Sequence, residues 1–231
     1  MRVLVVTAVP VERDAVTRAF TDGPEVVRAP GAELHRAGGV DVLAGGAGPA
    51  AAAAAAAFGL ASGSYGLVVS AGIGGGFAPG APVGSLVVAS AIVAADLGAE
   101  TPDGFVPVTA LGFGQDRFEP PPALVRDVAA ATGAVTGDIL TVSTVTGSAA
   151  RAAALRGAHP DAVAEAMEGF GVAEAADRLR VPVLEIRAVS NAVGPRDRDA
   201  WRIGDALAAL TDAFGKLTPV LEGWTQHDRL D

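Results

Sequence analysis

The sequence predicts an α/β protein with a largely parallel central sheet. Short apolar runs recur along the chain and are typical of buried strands, stretches of helical character lie between them, and Gly or Pro marks most junctions. A length of 231 residues suits one compact domain. We therefore expect a domain over residues 1–217, followed by a loosely held C-terminal tail over residues 218–231.

The elements are expected to alternate along the chain. Strands are predicted at residues 2–7, 33–37, 40–44, 67–71, 83–95, 138–143 and 183–190. Helices are predicted at residues 10–20, 121–132, 148–156, 169–179 and 201–217, with an alanine-rich helix starting at Pro49. Pro10 and Pro49 suit a first helical turn, where the missing N–H of proline costs nothing. Gly38 and Gly39 predict a hairpin turn, and the polar segment 96–122, rich in Gly and Pro, predicts a long excursion.

Composition excludes several classes of function. Lys and Arg number 17 against 26 Asp and Glu, a net charge of −9 that repels a phosphate backbone, so we expect no nucleic-acid partner. The absence of cysteine excludes disulfides, thiolate metal sites and a cysteine nucleophile. His35, His159 and His227 are scattered, which disfavours a histidine zinc site. We expect neither a metal nor a cofactor.

A membrane segment is also not expected. Residues 42–95 carry no charged residue and no histidine, but Gly and Pro interrupt them repeatedly, whereas a spanning helix needs about 20 continuous apolar residues. At the N-terminus, Glu12, Arg13 and Asp14 arrive too early for a signal peptide. The expected compartment is the cytoplasm.

Two glycine motifs follow predicted strands. Residues 46–51, GAGPAA, fit the G-x-G-x-x-A dinucleotide fingerprint. An NAD site also needs an acidic residue about 20 positions later, and none occurs before Asp96, so a tight strand-to-helix turn is favoured. Residues 72–76, GIGGG, are expected to form a loop at the end of a strand, where a ligand lies against backbone N–H groups in open α/β sheets.

Three polar residues stand beside predicted strand or helix ends. Glu12 lies in the first turn of a helix, Glu168 precedes another helix, and Asn191 directly follows a strand. Each has a structural alternative: compensation of a helix dipole for Glu12, helix capping for Glu168 and a turn for Asn191. Together they indicate a crevice with two carboxylates and an amide.

These motifs together resemble the purine nucleoside phosphorylase and nucleosidase superfamily, especially its methylthioadenosine/adenosylhomocysteine nucleosidase branch. The resemblance covers roughly residues 1–217. The matching segments are VLVVTAVPVERDAV, GGAGPAAAA, VVSAGIGGGFAPG, VGSLVVAS, AMEG and RAVSN. The resemblance implies a single-domain, three-layer α/β/α fold with a mixed, largely parallel central sheet, and a homo-oligomer, with a dimer favoured.

One departure from the branch concerns the base. Adenine-releasing nucleosidases carry Asp after Ala-Val-Ser, whereas this chain carries Asn191. An amide can donate to N7 or O6 of a 6-oxopurine, which favours hypoxanthine or guanine over adenine. Residues 190–197, SNAVGPRD, look similar to the futalosine hydrolase subgroup, which belongs to the futalosine route to menaquinone. This resemblance implies hydrolysis of futalosine to hypoxanthine and dehypoxanthine futalosine.

The resemblance also implies roles for individual residues. Glu12 would activate the attacking water, Glu168 would hold the ribose hydroxyls, and Asn191 would stabilise the leaving base. The other residues expected to bind the nucleoside substrate are Ile73, Gly74, Gly75, Val145, Thr146, Met167 and Ser190. Futalosine also carries a benzoate, for which Arg117 is a candidate partner; an exposed loop arginine is the alternative.

Three other functions stay open. A 6-oxopurine nucleoside phosphorylase would need arginines around phosphate, and no Arg lies between Arg36 and Arg117. A methylthioadenosine/adenosylhomocysteine nucleosidase would use Asp where Asn191 stands. A purine-binding regulatory module would have no evident use for carboxylates at both Glu12 and Glu168.

Overall fold

The computed structural model describes residues 2–29 and 31–227. Its strands are β1 (Arg2–Thr7), β2 (Glu25–Ala29), β3 (Ala32–Ala37), β4 (Val40–Ala44), β5 (Tyr65–Gly76), β6 (Leu86–Ala94), β7 (Gly98–Thr101), β8 (Gly104–Pro107), β9 (Arg117–Phe118), β10 (Val135–Thr141), β11 (Ala162–Ala166) and β12 (Val183–Ala192). Its α-helices are α1 (Pro10–Thr17), α2 (Pro49–Ala61), α3 (Pro122–Thr132), α4 (Ala149–Ala158), α5 (Gly169–Arg178) and α6 (Ile203–His227).

Ten of these strands form one mixed sheet within the described residues. The order is β11-β10-β6-β12-β5-β1-β4-β3-β2, with β9 paired to β6. The central pairs β12–β5, β5–β1 and β1–β4 are parallel, whereas β12–β6 and the β2–β3–β4 edge are antiparallel. A further antiparallel pairing of β11 with β5 turns one half of the sheet back on itself.

The helices cover both faces of the sheet. One apolar core joins α1, α3 and α6 to the sheet, and another joins α2 and α5 to its opposite face. Small side chains, among them Ala52, Ala56, Ala173 and Ala176, are fully or almost fully buried between α2, α5 and the strands. The predicted three-layer α/β/α fold with a mixed sheet is confirmed.

The prediction of a glycine loop at residues 72–76 is wrong, because β5 continues through Gly76. The glycines allow three close approaches that a side chain would block. A Cβ on Gly76 would collide with Ala81 C=O, one on Gly74 would lie 2.9 Å from Glu165 C=O, and one on Gly75 would lie 2.9 Å from Val193. This stretch therefore pairs with both β12 and β11.

The last helix is longer than expected. It was predicted to end at residue 217, but α6 runs to His227, and Leu221 is fully buried against the same core as Leu217. Much of the expected tail is therefore helical, and residues 228–231 lie outside the described part of the chain. Among the described residues, no helix is both long and apolar enough to cross a membrane.

Candidate active site

The candidate site lies where neighbouring parallel strands end. β1, β5 and β12 run parallel and adjacent, so their carboxyl ends meet at one edge of the sheet. α1 begins after β1 and carries Glu12 in its first turn, while Ser190 and Asn191 lie near the end of β12. The register places Asn191 opposite Gly75. The topology of the sheet thus brings two of the three predicted polar residues, Glu12 and Asn191, to one edge. Glu168 follows β11 and reaches the same cluster through Arg187, whose Nη1 lies 3.2 Å from Glu168 Oε2.

Glu12 is buried and held by backbone N–H groups. Its Oε2 accepts from the N–H of Ala8 at 3.0 Å and of Val9 at 3.2 Å, and its Oε1 accepts from Ile73 N–H at 2.9 Å. The side chain is 3% exposed. A carboxylate offers about four acceptor positions, so one stays open after these three bonds. Glu12 therefore caps the start of α1, a local role beside the helix-dipole compensation considered as its structural alternative, and it also keeps a position for a further donor.

Arg187 lies at the centre of the carboxylates, a role the sequence did not reveal. Its fully buried guanidinium donates from Nε to Glu185 at 2.9 Å and from Nη2 to Ser70 at 2.8 Å. Its Nη1 lies 3.2 Å from Glu168 Oε2 but has no hydrogen-bond partner among the described residues. Gly72 leaves room for the ends of both side chains, because a Cβ there would lie 2.8 Å from Arg187 Nη1 and 2.6 Å from Glu12 Oε1.

The charges of this cluster are strongly coupled. Burial opposes the charge on Arg187, but the carboxylates of Glu185, Glu168 and Glu12 outweigh it and raise the pKa of the guanidinium. Burial raises the pKa of Glu185 to about 7, although Arg187 acts in the opposite direction. Three carboxylates facing one guanidinium leave an excess of negative charge, which a proton on Glu185 reduces.

Glu168 does not cap α5, since its side chain makes no capping hydrogen bond there. Its Oε1 accepts from Gly48 N–H at 3.2 Å, and its Oε2 accepts from Met167 N–H at 3.3 Å. Gly48 belongs to the motif that fits a dinucleotide fingerprint, and its φ of 92° is in the left-handed region. The strand-to-helix turn therefore orients the Glu168 carboxylate.

Asn191 is partly exposed and linked to the glycines of β5. Its Oδ1 accepts from Ser190 Oγ at 2.8 Å, and its Nδ2 donates to Ala192 C=O at 3.1 Å. Ser190 Oγ also lies 3.3 Å from Gly74 C=O. An amide nitrogen carries two hydrogens, so one stays open for a ligand.

The polar groups of Thr146 are already occupied within the protein. Its N–H donates to Glu165 Oε1 at 2.8 Å and its hydroxyl donates to Glu165 Oε2. Glu165 lies opposite Gly75 in the β11–β5 pair, which brings this loop to the same edge as Asn191. Val145, which precedes Thr146 in the loop, is 37% exposed. Thr146 therefore anchors the loop, and its own donors are not open to a base.

Arg117 is bound elsewhere. Its Nη1 donates to Asp138 at 2.7 Å and its Nε to Glu119 at 3.4 Å, and the side chain of Asp138 also accepts from Ser90. The Asp138 contact raises the pKa of Arg117. The binding of a benzoate by Arg117 stays a prediction. It would require the Arg117 guanidinium to leave Asp138 first. Among the described residues, no group of three His, Asp or Glu is placed to hold a metal ion.

Comparisons with known proteins identify the family of this chain. The family model of the phosphorylase superfamily matches residues 2–220. The futalosine hydrolase of Streptomyces coelicolor is 68% identical over 99% of this chain and 100% of its own length, and that of Acidothermus cellulolyticus is 46% identical over 93% and 89%.

Solved structures show the same fold. A 5′-methylthioadenosine/S-adenosylhomocysteine nucleosidase from Colwellia psychrerythraea, in complex with adenine, superposes with a TM-score of 0.80 at 25% identity, covering 96% of this chain and 95% of that one. The futalosine hydrolase of Helicobacter pylori superposes with a TM-score of 0.79 at 19% identity, covering 97% and 98%.

Proposed function

The chain belongs to the phosphorylase superfamily and, within it, to the futalosine hydrolases, and from that premise we propose how its site cleaves the substrate. It is an N-glycosyl hydrolase that acts on futalosine. The observation that carries the proposed mechanism is the convergence of Glu12 and Glu168 on Arg187, at the edge where Asn191 lies. The products would be hypoxanthine and dehypoxanthine futalosine, as a step toward menaquinone.

Glu12 and Arg187 would hold the attacking water. One acceptor position of Glu12 stays open, and the unpartnered Nη1 of Arg187 lies on the same side of Gly72. A water molecule there would give a proton to Glu12 and accept a hydrogen bond from Arg187, which directs its lone pair outward. General-base assistance of this kind contributes roughly 10²–10⁴-fold to rate.

Glu168 would bind the ribose. Two N–H groups orient its carboxylate, and the remaining acceptor positions suit the two ribose hydroxyls, which are donors. Its negative charge would also offset the positive charge that develops on the sugar as the glycosidic bond breaks. Ile73 and Met167, whose N–H groups hold Glu12 and Glu168, would line this part of the site.

Asn191 would bind the leaving base. Its open N–H would donate to N7 or O6 of hypoxanthine, and this bond would strengthen as the base takes on negative charge. Gly74, Gly75 and the exposed side chain of Val145 would face the base. Adenine shares the N7 acceptor, so the preference rests on the group at C6: hypoxanthine presents the acceptor O6 there, whereas adenine presents a donor to which the amide hydrogen cannot bond.

The rival phosphorylase reaction is disfavoured by charge. Within the described residues, the buried guanidinium at this edge is Arg187, and the carboxylates of Glu12, Glu168 and Glu185 surround it. Phosphate bound at the position of the attacking water would face these carboxylates directly. Repulsion between like charges in a buried site costs several kcal/mol.

The chain would act as a homo-oligomer, with a dimer favoured. Leu97, Phe105, Leu111 and Phe113 in the excursion are 40–67% exposed, and a concentration of exposed large apolar side chains in one segment favours an interface there. A dimer at micromolar concentration by light scattering is the expected result, and a monomer would contradict it. The cytoplasmic location stays a prediction.

The base preference is tested by three substrates. Purified protein is given futalosine, inosine and methylthioadenosine, and free base is measured by liquid chromatography. We expect hypoxanthine release from the two 6-oxopurine nucleosides. Adenine release from methylthioadenosine should be slower by roughly ten- to a hundredfold, because a mismatched buried polar group costs about 1–3 kcal/mol. Comparable rates on methylthioadenosine would refute the role given to Asn191.

A further inference from the structure

Two arginines stack on one tryptophan in the loop that follows β12. The guanidinium carbon of Arg196 lies 5.1 Å from the centre of a Trp201 ring, and that of Arg198 lies 5.7 Å away. Both arginines are exposed, whereas Trp201 is partly buried. We call these three residues the Arg–Trp platform.

The loop of the platform is anchored at the base side of the candidate site. It leaves β12 after Ala192 and bonds back to the strand, because Arg202 N–H donates to Ser190 C=O at 2.8 Å. Arg196 Cγ and Cδ lie 3.7 Å from the position that a Cβ on Gly147 would occupy. Gly147 directly follows the loop residues expected at the edge of the base.

The other end of the loop leads toward the carboxylates. α6 begins two residues after Trp201 and packs beside α1, where Thr211 Oγ1 donates to Ala15 C=O at 2.7 Å. The first turn of α1 carries Glu12. The proximity of Arg196 to Gly147 therefore places the platform beside the loop expected at the base, on a segment that leads into α6, which packs on the helix of Glu12.

The charges of the platform have no counterpart in the described part of the chain. Arg196 and Arg198 form no ion pair with residues 2–29 or 31–227, although Asp197 and Asp199 alternate with them in sequence. Their guanidinium groups share one ring in a chain whose net charge is −9. A guanidinium group presents a planar N–H fork that matches the geometry of a carboxylate, and each of these two arginines carries one.

We propose that the Arg–Trp platform binds the carboxylate of the substrate's benzoate group, an inference that rests on the proposed function. Hypoxanthine and the sugar are uncharged in the substrate, so the benzoate supplies its one full negative charge. The platform would thus recognise the part of futalosine that ordinary nucleosides lack. It would take the role first considered for Arg117, whose guanidinium is bound to Asp138.

The test compares futalosine with inosine, which has the same base and ribose but no benzoate. In the double variant Arg196→Ala/Arg198→Ala, we expect the ratio of kcat/KM for futalosine to kcat/KM for inosine to fall roughly ten- to a hundredfold, the loss expected for hydrogen bonds to a charged group. The control is Arg126→Ala, which removes an exposed arginine of α3 and should leave the ratio unchanged. An unchanged ratio in the double variant would overturn the proposal.

A binding measurement separates this proposal from the proposed function. Dehypoxanthine futalosine keeps the benzoate, and its affinity, measured by isothermal titration calorimetry, needs no turnover. Weaker binding to the double variant than to wild type supports the platform, and equal binding overturns it. Failure of the proposed function would instead appear as absence of hypoxanthine release from futalosine by the wild-type protein. The methyl ester of futalosine should lose the platform's contribution in wild type and show little further loss in the double variant.

Discussion

Gly72→Ala tests the position of the Glu12 carboxylate with the addition of one methyl group. The new Cβ would lie 2.6 Å from Glu12 Oε1, roughly 0.8 Å short of ordinary contact, which begins at 3.4 Å. The carboxylate would have to move by about that distance and lose its hydrogen bond from Ile73 N–H. A displacement of about 1 Å in a catalytic group costs on the order of 10²-fold in rate. An unpaired buried N–H costs about 1–3 kcal/mol of folding free energy.

The assay measures kcat/KM on futalosine and the free energy of unfolding in denaturant. We expect activity about a hundredfold lower in a protein that still folds, because the atoms in the way, Glu12 Oε1 and Arg187 Nη1, are the ends of flexible side chains. Gly157→Ala is the matched control, since a Cβ there has no atom within 4 Å and α4 tolerates alanine. Wild-type kcat/KM in Gly72→Ala would refute the argument that this glycine sets the position of Glu12.

Three further predictions concern the charged and polar groups of the site. Glu12→Gln should keep the fold, by circular dichroism, and lose roughly 10²–10⁴-fold in turnover; near-normal turnover would reduce Glu12 to a helix cap. Asn191→Asp should lower hypoxanthine release and raise relative activity on 6-amino nucleosides; an unchanged ratio of inosine to adenosine hydrolysis would place base selection elsewhere. Because the pKa of Glu185 is raised from 4.5 to about 7 in the folded state, its contribution to stability should be complete below pH 4.5 and lost as the pH rises to about 7. Thermal unfolding from pH 4.5 to 8 should show this loss in wild type and a smaller one in Glu185→Gln, and equal slopes would contradict the shift.

The residues beside strand ends could be predicted from the sequence. Glu12 and Asn191 each follow an apolar run, and parallel strands bring such positions to one edge of a sheet. Glu168 follows β11, which is antiparallel to β5, so the same rule does not place it. The second glycine motif predicts a ligand-facing loop, whereas the structure continues β5 through it. Glycine content indicates close approach, and the sequence alone does not say whether the neighbour is a ligand or, as here, another strand.

Arg187 belongs to the RAVSN segment, but that pattern does not predict its place among the carboxylates. Glu185 and Arg187 alternate with aliphatic residues in β12, so both side chains point to the same face of a buried strand. Two opposite charges at this spacing in an apolar run are a usable signal for a buried ion pair. The other two residues that contact the Arg187 guanidinium, Glu168 and Ser70, come from distant segments of the chain. No local sequence pattern could have identified them.

The second half of the candidate site depended on a strand that the sequence did not reveal. β11 is five residues long, AVAEA, and resembles a helix fragment in composition. It pairs with both β10 and β5 and brings Glu165 to Thr146. The occupation of the Thr146 donors is a consequence of that pairing, which only the three-dimensional arrangement establishes.

The most direct test of the central claim is whether futalosine is cleaved by water without phosphate. Purified protein is incubated with futalosine in phosphate-free buffer, and the products are identified by mass spectrometry with and without added phosphate. The mechanism predicts equal amounts of hypoxanthine and dehypoxanthine futalosine, at a rate that phosphate does not raise. A requirement for phosphate, with a sugar 1-phosphate as product, would contradict it.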